Sequence, residues 1–241
     1  MIDAHIHLCN ADVFKQRQSF LQKIYENKVD LLLSCTASSD DFCRQDIVLA
    51  ETENVYAFYG LHPWNVREAQ GDWSDTLQEK LKQKKVVGVG ETGLDCLKDD
   101  FPLQVKVFKI QAELAAEENA LLTVHNVKAD KEIIEILSKI KNLPYFILHS
   151  FSGYPENIKI FADMGGYFSF SSRIIKRKAE YIKQVMAEIP TDRLLIESDF
   201  DNPNKIFDLD KTYRFVAETL NLDYKELQNL VYDNMKRLLK V

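Results

Sequence analysis

The sequence predicts a closed (β/α)₈ barrel, one domain over residues 1–241 with an extra C-terminal helix. Three observations point there: eight short apolar runs rich in β-formers, a charged segment with helically spaced apolar residues after each, and no Gly/Ser- or Pro-rich linker between them. The chain has 241 residues, 46% of them hydrophobic, enough to bury a substantial core, and α/β barrels of that length are routinely single domains. Strands are expected at 2–8, 30–36, 55–61, 86–91, 121–125, 145–149, 167–171 and 194–198. Helices are expected near 12–27, 39–53, 73–84, 102–119, 129–140, 155–164, 177–188 and 208–220, one after each strand. Leu31-Leu32-Leu33 and Val86-Val87-Gly88-Val89 are apolar on both faces, as strands covered outside and packed inside must be. Segment 223–240 carries Leu227, Leu230, Val231, Met235 and Leu238 at helical spacing and is read as a helix packed on the shell. An open doubly wound sheet is the rival, but no glycine-rich phosphate turn follows the first strand.

Composition narrows the function. A net charge of −6 with both signs mixed along the chain gives no basic tail or stripe for non-specific nucleic-acid binding, so a nucleic-acid substrate needs a locally basic mouth. No stretch reaches membrane-spanning length, and the N-terminus enters a strand without a basic leader and apolar run. Cys9, Cys35, Cys43 and Cys96 form no CxxC pair, which fits a reducing compartment. The expectation is a cytoplasmic protein with no membrane contact, and nothing in the sequence calls for a protein partner. Cys9, two residues past His7, is read as packing rather than as a ligand.

The five histidines carry the chemistry. His5, His7, His62, His125 and His149 all fall at or just past the end of an expected strand, as do Glu91 and Asp199. In such barrels the C-terminal strand ends form the active-site face. Alternate residues of a strand share a face, so His5 and His7 project together. One divalent cation takes roughly four protein ligands. The set is larger, which points to a pair of metals sharing a carboxylate, with Glu91 as the bridge. Taken singly, each residue has a quieter role. His125 and His149 could be buried histidines satisfied by backbone carbonyls, and Glu91 a helix cap. Asp95 and Glu197 are read as a turn residue and a support behind a histidine. Trp64, Phe151 and Phe200 either stack on bases or bury themselves in loops.

Six motifs then stand in order: Asp3-Ala4-His5-Ile6-His7, Gly60-Leu61-His62-Pro63, Gly90-Glu91-Thr92-Gly93-Leu94-Asp95, His125, His149-Ser150-Phe151-Ser152-Gly153 and Glu197-Ser198-Asp199. Together they resemble the TatD family of metal-dependent deoxyribonucleases, over essentially the whole chain. The resemblance implies a phosphodiesterase supported by Mg²⁺, with 3′ to 5′ exonuclease action on DNA or action on a smaller phosphodiester. By the same resemblance, His5, His7 and Asp199 hold one ion, His125 and His149 the other, and Glu91 touches both. His62 contacts the phosphate, and Asp199 acts as general base. Zn²⁺, Mn²⁺ and Ni²⁺ also suit so histidine-rich a site.

The sequence departs from the family near the substrate. Val127 stands where many members have arginine, with Lys128 next, Arg173 stands where glycine is common, and the loop after Asp199 is shortened. Lys128 and Arg173 are therefore the candidate substrate contacts, with Lys176 and Arg177 as further basic residues near the mouth. Two other readings remain open. One is an amidohydrolase-type deacylase or lactonase on a small molecule, since related barrels cleave C–N and C–O bonds. The other is a binding scaffold whose catalysis has decayed.

Overall fold

The apolar runs become eight parallel strands in a computed structural model that describes residues 1–240. They are β1 (Ile2–Ile6), β2 (Leu31–Cys35), β3 (Val55–Tyr59), β4 (Val86–Asp95), β5 (Leu121–Val127), β6 (Phe146–Leu148), β7 (Gly166–Phe170) and β8 (Leu194–Ile196). The sheet runs in chain order, each strand paired in parallel with the next. Closure comes from the segment just past β8. Asp199 N donates to His5 O at 3.0 Å, His7 N donates to Phe200 O at 3.0 Å, and Ile6 bridges Phe200 in parallel. The bonds that shut the barrel thus set Asp199 beside the two N-terminal histidines.

Helices fill the connections: α1 (Ala11–Lys15), α2 (Arg17–Glu26), α3 (Asp41–Glu51), α4 (Trp73–Leu81), α5 (Phe101–Glu117), α6 (Asp130–Leu137), α7 (Ile158–Asp163), α8 (Ala179–Glu188), α9 (Leu209–Leu220) and α10 (Tyr224–Leu239). The helix expected at 12–27 is two. Gln16 N bonds to Val13 O, a tightened turn that ends α1 before Arg17 starts α2. The segment expected as a helix at 155–164 is a 3₁₀ turn, Pro155–Asn157, followed by the short α7. Two further 3₁₀ stretches, Pro63–Glu68 and Ser172–Lys176, follow β3 and β7 at the mouth.

β4 outruns its expected end at residue 91. Gly90 and Gly93 have φ of 147° and 142°. A Cβ on Gly93 would lie 2.0 Å from His125 O, and one on Gly90 2.3 Å from the Thr123 side chain. Only glycine permits that approach and that backbone, and it lets β4 run against β5 as far as Asp95↔Val127. Glu91 and Asp95 are delivered to the His125 edge.

The predicted extra helix is α10. Asp223 and Glu226 form a reciprocal capping box at its start, and Leu227, Val231, Met235 and Leu238 are buried along one face. Asn234 Nδ2 donates to Thr191 O at 2.7 Å and Leu194 O at 2.9 Å, pinning α10 to the N-terminal end of β8, away from the mouth. No helix among the described residues is long and apolar enough to cross a membrane.

Candidate metal centre

All five histidines converge on one carboxylate. Glu91 Oε2 lies 3.2 Å from His5 Nε2 and 3.2 Å from His7 Nε2. Its Oε1 lies 2.7 Å from His149 Nε2, 2.8 Å from His125 Nδ1 and 3.2 Å from His62 Nε2. Asp199 Oδ1 is 4.0 Å from His7 Nε2, and its Oδ2 is 2.9 Å from the Arg173 guanidinium. Every one of these side chains except Arg173 is buried.

What stands behind each ring decides what the ring offers. The hydrogen bond at one imidazole nitrogen fixes which nitrogen carries the proton. His7 Nδ1 donates to Cys35 O at 3.0 Å, leaving a lone pair on Nε2. His149 Nδ1 faces Glu197 Oε1 at 3.4 Å, and Glu197, wholly buried, also accepts from the Ser169 hydroxyl. His125 Nε2 faces Asp95 Oδ2 at 3.7 Å, which turns the Nδ1 lone pair inward. His5 Nδ1 is 3.4 Å from both Thr123 Oγ1 and Cys35 Sγ.

His62 is the reverse. Its Nδ1 accepts from Trp64 N at 3.1 Å, so the neutral ring carries its proton on Nε2 and presents a donor to the centre. Gln111 of α5 fixes its approach by bonding Leu61 N and Leu61 O at 2.8 Å and 3.0 Å.

Three donor triads have ligand atoms within 4.8 Å of one another: His5, His7 and Asp199; His5, His149 and Glu197; and His62, Glu91 and His125. The His62 tautomer argues against counting it as a ligand in the third, and the support Glu197 gives His149 argues for its place behind the ring in the second. A cation fits what remains. His5 Nε2 and His7 Nε2 are 3.1 Å apart, and His125 Nδ1 and His149 Nε2 are 3.3 Å apart, all turned toward carboxylate oxygens. Lone pairs so crowded repel unless a positive charge sits among them.

The same contacts set the electrostatics of the rings. Burial opposes charging of His7, but the hydrogen bond and charge of Glu91, with Asp199, push it up to about 9. His149 and His125 are raised in the same way, against burial, by Glu91 with Glu197 and Asp95 respectively. Burial lowers His5, and drives His62 down to about 4. Burial works against the Glu91 anion too, yet His149, His62 and His125 hold it well below the carboxylate range.

The family model described as "TatD related DNase" matches residues 2–240. The chain belongs to the TatD family. Curated relatives include an uncharacterized metal-dependent hydrolase, YabD, from Bacillus subtilis, 27% identical over all of this chain and 99% of its own. Another is the 3′-5′ ssDNA/RNA exonuclease TatD of Pantoea ananatis, 26% identical over 83% of this chain and 78% of its own. Among solved structures, the TatD homologue YjjV of Escherichia coli superposes with a TM-score of 0.90 at 24% identity, covering 100% of this chain and 98% of that one. The protein is thus a metal-dependent hydrolase of the TatD family on the barrel its sequence predicts.

The TatD ligand pattern read from the sequence is brought together here: His5, His7, Glu91, His125, His149 and Asp199 line one centre, and His62 joins them. Arg173 reaches it through Asp199. Lys128 does not, for it is exposed, with φ 55°, and makes no side-chain hydrogen bond or ion pair among the described residues. Phe151 and Phe200 are buried in packing, Phe200 stacked on Phe20 at 4.2 Å, whereas Trp64 is 59% exposed. The Trp64 indole donates to Asp95 Oδ2 at 2.8 Å, and Lys98 Nζ stands 4.4 Å over its ring. Cys9 packs against Cys35 O and joins none of the three triads. Sequence reading missed Thr123, Ser169 and the Cys35 carbonyl, which carry no charge or motif and matter only through the strand they neighbour.

Proposed function

We propose that the protein is a phosphodiesterase working with two divalent cations on DNA or a smaller phosphodiester, removing nucleotides from a 3′ end when the substrate is DNA. One observation carries the reading: a single carboxylate, Glu91, turns one oxygen to His5 and His7 and the other to His125 and His149. The name of the Pantoea relative supports the nuclease part.

In this reading His5, His7 and Asp199 would hold one ion, His125 and His149 the second, and Glu91 would be shared between them. Bound there, the ions would polarise a phosphoryl oxygen and lower the pKa of a nearby water. The residues supply the rest. His62 donates its Nε2–H to a phosphate oxygen, the role its tautomer suits. Asp199 accepts the proton of the attacking water, its carboxylate held ionised by His149 and Arg173 against the burial that opposes its charge. Arg173 and, from further out, Lys128 meet the phosphates, and Trp64 offers a face to a base. Mg²⁺ is the proposed working ion, with Zn²⁺, Mn²⁺ or Ni²⁺ as alternatives. Four free cysteines support a cytoplasmic setting.

The test is a metal-reconstituted panel of single-stranded DNA, bis-p-nitrophenyl phosphate, and simple esters, lactones and amides. Turnover of phosphodiesters with release of mononucleotides from DNA is expected. Turnover of lactones or amides alone would replace this reading with the deacylase one.

A further inference from the structure

A cavity of about 150 Å³ opens beside the centre and shares two of its walls, His125 and His149. The rest of its lining includes the Arg173 and Arg177 side chains and the apolar Phe151, Phe170 and Ile174. No carboxylate lines it. Arg173 shares its charge with Asp199, whereas Arg177 has no carboxylate partner among the described residues and stacks 4.6 Å from the Tyr181 ring. The volume is about half the ~300 Å³ at which pockets for drug-sized ligands begin, so there is room for one compact group and not for a nucleoside.

The two loops that wall this cavity are braced. Buried Asp130 accepts from Tyr154 N at 3.0 Å, Asn157 Nδ2 at 2.9 Å and Asn126 Nδ2 at 2.7 Å. The Tyr181 hydroxyl donates to Gly153 O at 3.0 Å, and Ser150 Oγ and Ser171 Oγ meet at 2.8 Å across the gap between the loops. The group that holds Arg177 therefore also holds the opposite wall.

We propose that this cavity is a subsite for a terminal phosphate monoester of the substrate, next to the scissile diester, so that the protein prefers short nucleotides ending in phosphate. The inference rests on the phosphodiesterase reading and deepens it. Charge selects the group: a monoester carries about −1.5 to −2 and a diester only one negative charge, and a wall with no carboxylate in it, one guanidinium shared with Asp199 and a second with no carboxylate partner among the described residues, favours the former. Guanidiniums also fork onto phosphate oxygens in a way a lysine does not. Phe151, Phe170 and Ile174 give this wall an apolar floor beneath the two guanidiniums.

The experiment uses the metal-loaded full chain with three dinucleotides that differ only in their ends: both hydroxyl, 5′-phosphate, or 3′-phosphate. One terminal phosphate should raise kcat/KM about tenfold or more, and Arg177→Ala should bring the ratio of phosphorylated to unphosphorylated substrate close to one, with Arg177→Lys restoring part of it. Calorimetric titration with inorganic phosphate gives a readout independent of turnover, and its affinity should fall about tenfold in Arg177→Ala. If no dinucleotide is cleaved but phosphate binding still depends on Arg177, the subsite stands and the phosphodiesterase reading falls. Equal kcat/KM for all three substrates, or phosphate affinity unchanged in Arg177→Ala, overturns the subsite.

Discussion

His149 Nδ1 lies 3.4 Å from Glu197 Oε1, a carboxylate with no exposed surface. An acceptor buried that deep serves a partner, and here it sets the proton on Nδ1 and turns Nε2 toward Glu91. Glu197→Gln keeps the shape but replaces the acceptor-only carboxylate with an amide that can also turn a donor toward Nδ1. Removing such support behind a metal-binding histidine costs about 10–100-fold in metal affinity. Competition with a metallochromic chelator should show that loss with the fold intact by circular dichroism, and unchanged affinity would make Glu197 a packing residue only.

Trp64 is the one aromatic of the three candidates left open at the mouth, held by Asp95 and topped by Lys98. Stacking of one base on such a face is worth about 1–3 kcal/mol. Trp64→Ala should therefore raise KM for single-stranded DNA about tenfold or more while kcat holds, and binding of an oligonucleotide should quench wild-type tryptophan fluorescence. A KM that does not move removes Trp64 from the substrate path.

Metal binding should release protons. Glu91 and Asp199 push His7 up to about 9, so an ion binding there at neutral pH is expected to displace a proton. Affinity should rise as pH climbs from 6 toward 9. Titrating metal in buffers of different ionisation enthalpy at pH 7.5 reads the proton directly. Zero release would mean that His7, His125 and His149 give up no proton to the ion, against their place as its ligands.

The barrel and the cluster at its mouth were legible because both rest on periodicity and position: apolar runs mark strands, and His5, His7, His125 and His149 close theirs. The length of β4 was not legible, since Thr92-Gly93-Leu94-Asp95 lies past the apolar run and Asp95 reads as a turn residue until Gly93 is seen against His125. Nor was the break at Gln16, which a tightened turn decides within otherwise helical sequence. The role of His62 turned on one backbone N–H, that of Trp64, which no spacing reveals. Lys128 was legible as a basic residue just past His125, but its left-handed backbone and its exposed position outside the cluster were not.

The most direct test is the number of ions bound per chain, measured by elemental mass spectrometry on reconstituted wild type and Glu91→Gln, alongside phosphodiester turnover. Two ions per wild-type chain are predicted, falling to one or none in Glu91→Gln, with activity down about 10³-fold or more. A single ion in the wild type, or a Glu91→Gln protein that keeps two ions and its turnover, would contradict a centre built around this shared carboxylate.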